Sequence, residues 1–348
     1  MYDGSSRPPF PTPARARGRA LGAAALAAVL SATLLSGCGT SRGADDGRPS
    51  AAARPAKGFP VTVDNCGTRT TYDRPPERVV TIHQHPAELL LALGLKDRMV
   101  GTAFPDSAVL PQYRKDFAAV PRLAEKEPSF ETVLDAEPDL VYGGYASAFD
   151  DKAGRSRAAF RDAGIDTYLN REYCGGRSVS MRDTYEEIRT LGSIFGVPER
   201  ADALVADLRS RIDEATRAVK GAPQVPVFVY DSGDKAAFTA GGKGLGTEII
   251  RLAGGRNVFA DLDEVFGDVS WEQVVARKPE VIAIYDYAGA GGVEQKKRFL
   301  LAQPALADVP AIRNKRFVVL PLTATLVGVR PPYAVGDLAK ALHPERFR

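Results

Sequence analysis

Two stretches of this 348-residue chain repeat one another, and no other feature constrains the fold as tightly. Residues 129–141 read Ser-Phe-Glu-Thr-Val-Leu-Asp-Ala-Glu-Pro-Asp-Leu-Val; residues 270–282 read Ser-Trp-Glu-Gln-Val-Val-Ala-Arg-Lys-Pro-Glu-Val-Ile. The serine reads as a helix N-cap, since its hydroxyl can accept from an otherwise orphaned backbone N–H. The following acid suits a first helical turn, and the proline ends the helix ahead of an aliphatic pair suited to a buried strand. An internal repeat of this kind predicts two lobes built alike, with Glu131 on one matched by Glu272 on the other.

The start of the chain does not belong to either lobe. Arg15, Arg17 and Arg19 precede an uncharged run from Leu21 to Leu35, which suits a signal-peptide core and is too short to span a bilayer. Leu35-Ser36-Gly37-Cys38 then resembles a bacterial lipobox, so residues 1–37 read as a signal peptide and Cys38 as a lipidated first residue. Residues 38–57 are rich in Ala, Arg, Gly, Pro and Ser without aliphatic periodicity, as expected of a flexible tether. Anchoring would place the protein on the outer face of the cell membrane.

The basic excess of the chain lies in the signal peptide, so the mature body is close to neutral. That argues against a nucleic-acid partner, which would call for a basic face. In an exported protein, Cys66 and Cys174 remain as an even pair and are expected to form a disulfide; two free thiols or a metal pair is the alternative, although no nearby partner has ligand spacing.

Beyond the tether, residues 58–72 alternate as a small hairpin, and β/α alternation follows. Strands are expected at 78–82, 99–101, 140–143, 165–169, 225–230, 281–285 and 316–320, with helices between them, as in parallel sheets. Residues 198–220 read as one long helix that begins with proline, its apolar stripe carried by Leu204, Leu208, Ile212 and Ala215. The fold class is therefore α/β: an N-terminal lobe over 58–197, a linking helix over 198–220, and a C-terminal lobe over 221–348. Each lobe is expected to hold its own core, with a ligand cleft between them.

Catalytic signatures are missing: the chain has no G-x-S-x-G, H-E-x-x-H or P-loop sequence, and Gly242-Lys-Gly-Leu-Gly reads as a strand-to-helix turn. Three histidines are too few for a dedicated metal cage, so neither metal nor cofactor is expected. Ligands of open α/β sheets bind beyond the carboxyl ends of the strands. His85, in the loop His83-Gln-His85, falls at such an end. So do Phe104, Tyr145, Tyr230 and Tyr287, and Trp271 completes an aromatic set suited to a concave site. Arg330, on a Pro-rich loop before the last helix, is a candidate anion contact.

Several runs together resemble a known family: Pro76-Glu-Arg-Val-Val, Ala87-Glu-Leu-Leu-Leu-Ala-Leu-Gly-Leu, Pro138-Asp-Leu-Val, Phe238-Thr-Ala-Gly-Gly, Leu252-Ala-Gly-Gly-Arg-Asn-Val-Phe and Val269-Ser-Trp-Glu-Gln-Val. They are similar to the periplasmic binding proteins that serve ABC importers of iron-siderophores, haem and cobalamin. The resemblance covers about residues 58–345. It implies two Rossmann-like lobes joined by a long helix, little hinge closure, and one glutamate per lobe contacting a permease dimer, here Glu131 and Glu272. It implies a monomeric receptor whose ligand is a ferric siderophore, with haem or cobalamin as alternatives. Cys66 and Cys174 are not part of the general family pattern. An exported siderophore-processing enzyme on the same scaffold would need a nucleophile or acid–base pair that no spacing here supplies.

Overall fold

The computed structural model describes residues 57–175, 178–287 and 292–347. The signal peptide, Cys38 and nearly all of the tether lie outside the described residues. Among those described, no helix is long and apolar enough to cross a membrane.

The chain opens with a hairpin, β1 (Val61–Asn65) against β2 (Thr68–Tyr72), closed by the two-residue turn Cys66-Gly67. Both turn residues have positive φ, 54° and 76°, which matches the twist of the flanking strands. The turn presents Cys66 to Cys174, and the two form a disulfide across 108 residues.

A five-stranded parallel sheet follows, in the order β5-β4-β3-β6-β7. Its strands are β3 (Val79–Ile82), β4 (Met99–Ala103), β5 (Arg122–Ala124), β6 (Leu140–Gly143) and β7 (Asp166–Leu169). The second lobe carries β8 (Val225–Tyr230), β9 (Ala237–Ala240), β10 (Gly255–Asn257), β11 (Phe266–Val269), β12 (Val281–Asp286) and β13 (Phe317–Pro321). Its main sheet is parallel in the order β10-β8-β12-β13, and β9 pairs with β11 as a side ribbon. In each sheet the strand after the repeated helix lies beside the first strand of its lobe: β6 on β3, β12 on β8. Helix Phe130–Leu134 is capped by Ser129, which accepts from Thr132 N, and helix Trp271–Arg277 by Ser270, which accepts from Gln273 N. The duplication is thus structural, down to the cap.

Helix Pro198–Ala218 joins the sheets; at about 1.5 Å per residue it is on the order of 30 Å long. It packs on Met181–Ile194 of the first lobe and Pro331–Leu342 of the second. Its buried stripe is Ala201, Val205, Leu208, Ile212 and Ala215; Leu204 is only half-buried, so the stripe sits one residue round from the expected register at that end. The expectation of one core per lobe also needs correction. The largest apolar cluster is continuous from Leu140 and Ile188 through this helix to Val227 and Leu338, while each lobe adds a smaller cluster on its outer face. A helix touching both lobes welds their inner faces into one core.

Candidate functional site

At the carboxyl ends of β3, β4 and β6 the first lobe gathers an aromatic and polar cluster. His83 and Phe104, which directly follow β3 and β4, both have positive φ, 81° and 51°. Non-glycine residues there are strained and persist only where surrounding structure holds them, a condition that concentrates at functional sites. Their rings lie 5.2 Å apart, and Tyr145 stands edge-on to His83 at 4.4 Å and to His85 at 5.1 Å. The Tyr145 hydroxyl donates to Asp106 at 2.8 Å. Gly144 beneath the cluster has no substitute, since a Cβ there would strike the imidazole of His85.

The two histidines differ in role. His83 Nδ1 accepts from Tyr145 N at 3.3 Å, so its Nε2 carries the proton and donates to Glu127 at 3.2 Å. Glu127 also binds Ser147 and Arg155. Burial would raise its carboxyl, but these donors outweigh it and hold the group below its ordinary value. His85 is 2 % exposed, and among the described residues neither ring nitrogen has a partner at hydrogen-bond geometry, the Gly144 backbone lying close by. Burial, reinforced by His83 and Arg330 against the opposing pull of Asp106, lowers its pKa to about 4, so the ring is neutral near pH 7.

In the second lobe Tyr230, Trp271 and Phe299 pack together, with Tyr230 and Phe299 stacked at 6.1 Å and Trp271 5.9 Å from each. Trp271 Nε1 donates to Asp234 O at 2.8 Å. Tyr230, Ser232, Gly233, Asp234, Lys296 and Phe299 border a cavity of about 300 Å³. Tyr287 donates to Asp231 at 2.6 Å, and Lys296 lies 4.7 Å over its ring while donating to Tyr285 O.

Segment 322–330 of the second lobe lies across the first. Val327 N donates to Glu172 at 2.6 Å, Asn170 donates to Val327 O at 3.0 Å, and a Cβ added at Gly328 would lie 3.5 Å from His85 Cβ. Arg330 is buried and forked onto Glu88, Nε to Oε2 at 2.6 Å and Nη2 to Oε1 at 2.5 Å, with further bonds to Ser107 and Ala108 O. The structure therefore groups His85, Phe104 and Tyr145 in one cluster, Tyr230, Trp271 and Tyr287 in a second, and turns Arg330 into the seam between lobes. Sequence reasoning passed over Glu88, Asp106, Asn170 and Glu172, whose roles depend on partners up to 242 residues away.

Glu131 and Glu272 are exposed in the first turn after their serine caps, Glu272 directly following Trp271. Hydrogen bonds from their own turns hold both carboxyls below the ordinary value.

Residues 79–324 match the periplasmic binding protein family. The chain belongs to it. A curated relative is the uncharacterized ABC transporter substrate-binding lipoprotein YvrC of Bacillus subtilis, 26% identical over 92% of this chain and 97% of the relative. A cobalamin-binding protein of Halobacterium salinarum is 28% identical over 74% of this chain and 65% of its own length. Among solved structures, the ABC-type Fe3+-hydroxamate transport system protein of Saccharomonospora viridis superposes with a TM-score of 0.69 at 27% identity, covering 81% of this chain and 99% of that one. These relatives are binding proteins, and this chain is one too, not an enzyme.

Proposed function

We propose that this protein is the lipid-anchored substrate receptor of an ABC importer, capturing a bulky metal chelate between its lobes. The observation that carries the reading is the pairing of the two aromatic clusters at strand ends of duplicated lobes, the first enclosing an unpartnered neutral imidazole. Aromatic faces with a few placed polar atoms hold a large chelate without reacting with it. A ferric siderophore of the hydroxamate type is the preferred ligand, in line with the solved hydroxamate-system relative, and the cobalamin-binding relative makes a corrinoid the second reading. Lipidation at Cys38 would keep the loaded receptor at the membrane, with Glu131 and Glu272 meeting the two halves of a permease.

Trp271 is the only tryptophan and sits in the second cluster. Titrating the purified protein with ferrichrome, cyanocobalamin and haemin should quench its fluorescence saturably for one of them at micromolar concentration or below. Linear, non-saturating quenching by all of them would refute the receptor reading.

A further inference from the structure

The charges built into the site specify the charge of the ligand, an inference that rests on the receptor reading above. Every cation the described site residues contribute is already committed. Arg330, 6 % exposed, has its fork filled by Glu88 and its remaining donors by Ser107 and Ala108 O. Lys296, also 6 % exposed, is held by Tyr285 O and the Tyr287 ring. Arg155 is spent on Glu127, Pro128 O and Ser147 O, and Arg171, further out, is drawn to Glu186 at 3.1 Å. Of the histidines, His83 is turned onto Glu127 through Nε2, and burial keeps the His85 ring neutral.

Two carboxylates of the clusters lack such a counter-cation bond. Asp106 accepts only from the Tyr145 hydroxyl and Gln84 N, and Asp231 from the Tyr287 hydroxyl. Neither set of hydrogen bonds supplies a positive charge; Asp231 has the Lys296 ammonium nearby to offset it, whereas the printed partners of Asp106 are a phenol and a backbone N–H. A neutral or cationic chelate meets phenols, imidazole and these acids at no electrostatic cost. A trianionic one would be brought against Asp106, with no unpaired guanidinium among the described residues of the first cluster to offset it.

We propose that the receptor selects chelates without net negative charge, such as neutral ferric trihydroxamates or neutral corrinoids, and rejects ferric tris-catecholates and citrates. On this account Arg330 is a positioning residue that locks segment 322–330 to the first lobe.

The test is a charge-graded titration of the whole mature protein: ferrichrome and cyanocobalamin as neutral probes, ferrioxamine B as a cationic one, ferric enterobactin and ferric dicitrate as anionic ones. At least one neutral or cationic probe should bind about 100-fold or more tightly than either anion, a ratio set by uncompensated like-charge contact. Removing one negative charge should narrow that ratio by about tenfold, in Glu88→Gln by leaving Arg330 uncancelled and in Asp106→Asn by sparing the Tyr145 acceptor. Asp106 is only half-buried, so its variant serves if the Glu88 one does not fold. Anionic probes binding as tightly as neutral ones, or a ratio unmoved in Asp106→Asn, would overturn the charge rule alone. No probe binding at all would instead overturn the receptor reading, and the rule with it.

Discussion

Glu187 illustrates how one buried side chain couples the fold to pH. It is fully buried and accepts from the Tyr142 hydroxyl at 2.6 Å and the Tyr168 hydroxyl at 2.9 Å. Burial outweighs these donors and raises its pKa to about 7; Glu172, nearby and turned inward onto Val327 N, is pushed up to about 8 by burial, with Asp183 and Glu187 adding to the rise. A carboxyl raised on folding stabilises fully below its unfolded pKa, and that contribution is lost as pH climbs through the folded value. His85 acts in the opposite sense, since its depressed pKa costs stability as pH falls from about 6.5 toward 4. Between pH 6.5 and 8 the two raised carboxyls outweigh the residual opposite contribution of His85. Thermal unfolding should therefore show stability falling over that window by about 1–2 kcal/mol, discounted because Glu172 keeps some solvent contact. The double variant Glu172→Gln, Glu187→Gln should flatten the slope, and an unchanged slope would place the titration elsewhere.

Among the elements, the repeated cap-and-helix unit carries the clearest division of labour. Ser129 and Ser270 satisfy orphan N–H groups, so replacing either with alanine should lower stability by about 1 kcal/mol in denaturant titrations. The acids two residues on do something else. Glu131 and Glu272 are exposed and make none of the ring contacts of either aromatic cluster, although Glu272 follows Trp271, so Glu131→Lys with Glu272→Lys should leave chelate affinity within about twofold while transport into cells falls by about tenfold or more. Uptake that survives the double reversal would count against permease docking through these helices. The same unit explains its own legibility: capping, first-turn acids and the proline stop are local rules, readable over thirteen residues without knowledge of what packs nearby.

At the scale of the whole molecule, the lobes are held by the helix Pro198–Ala218, the 322–330 segment, the core shared across both, and the bonds of Val179 N to Lys243 O and Met181 N to Glu248. The hairpin is tied separately. Asn65 exchanges two hydrogen bonds with Leu169 at 2.8 Å, Arg157 reaches Asn65 O at 2.7 Å, and the Cys66–Cys174 bridge closes the loop. Cross-linking residues this far apart chiefly restricts the unfolded chain, so Cys66→Ser with Cys174→Ser should lower unfolding free energy by about 2–4 kcal/mol. Its hydrogen bonds should keep the hairpin docked in the variant, which hydrogen exchange over residues 61–72 would report.

Local chemistry was enough to read the duplicated unit, the long helix, the even cysteine pair and every strand of the two main sheets except the three-residue edge strands β5 and β10, because hydrophobic period, caps and prolines act within a dozen residues and those two strands are too short to show a period. It also brought His85, Phe104, Tyr145, Tyr230, Trp271 and Tyr287 forward as strand-end residues. Whether a given charge would face a ligand lay beyond its reach. Arg330 reads as a free cation until the fold sets Glu88 against it, and Leu204 reads as buried until packing decides which side of the helix is covered. The pairing of the buried charges and the single shared core arise from contacts between residues far apart in the chain, and only closing the chain on itself determines which charges find a partner.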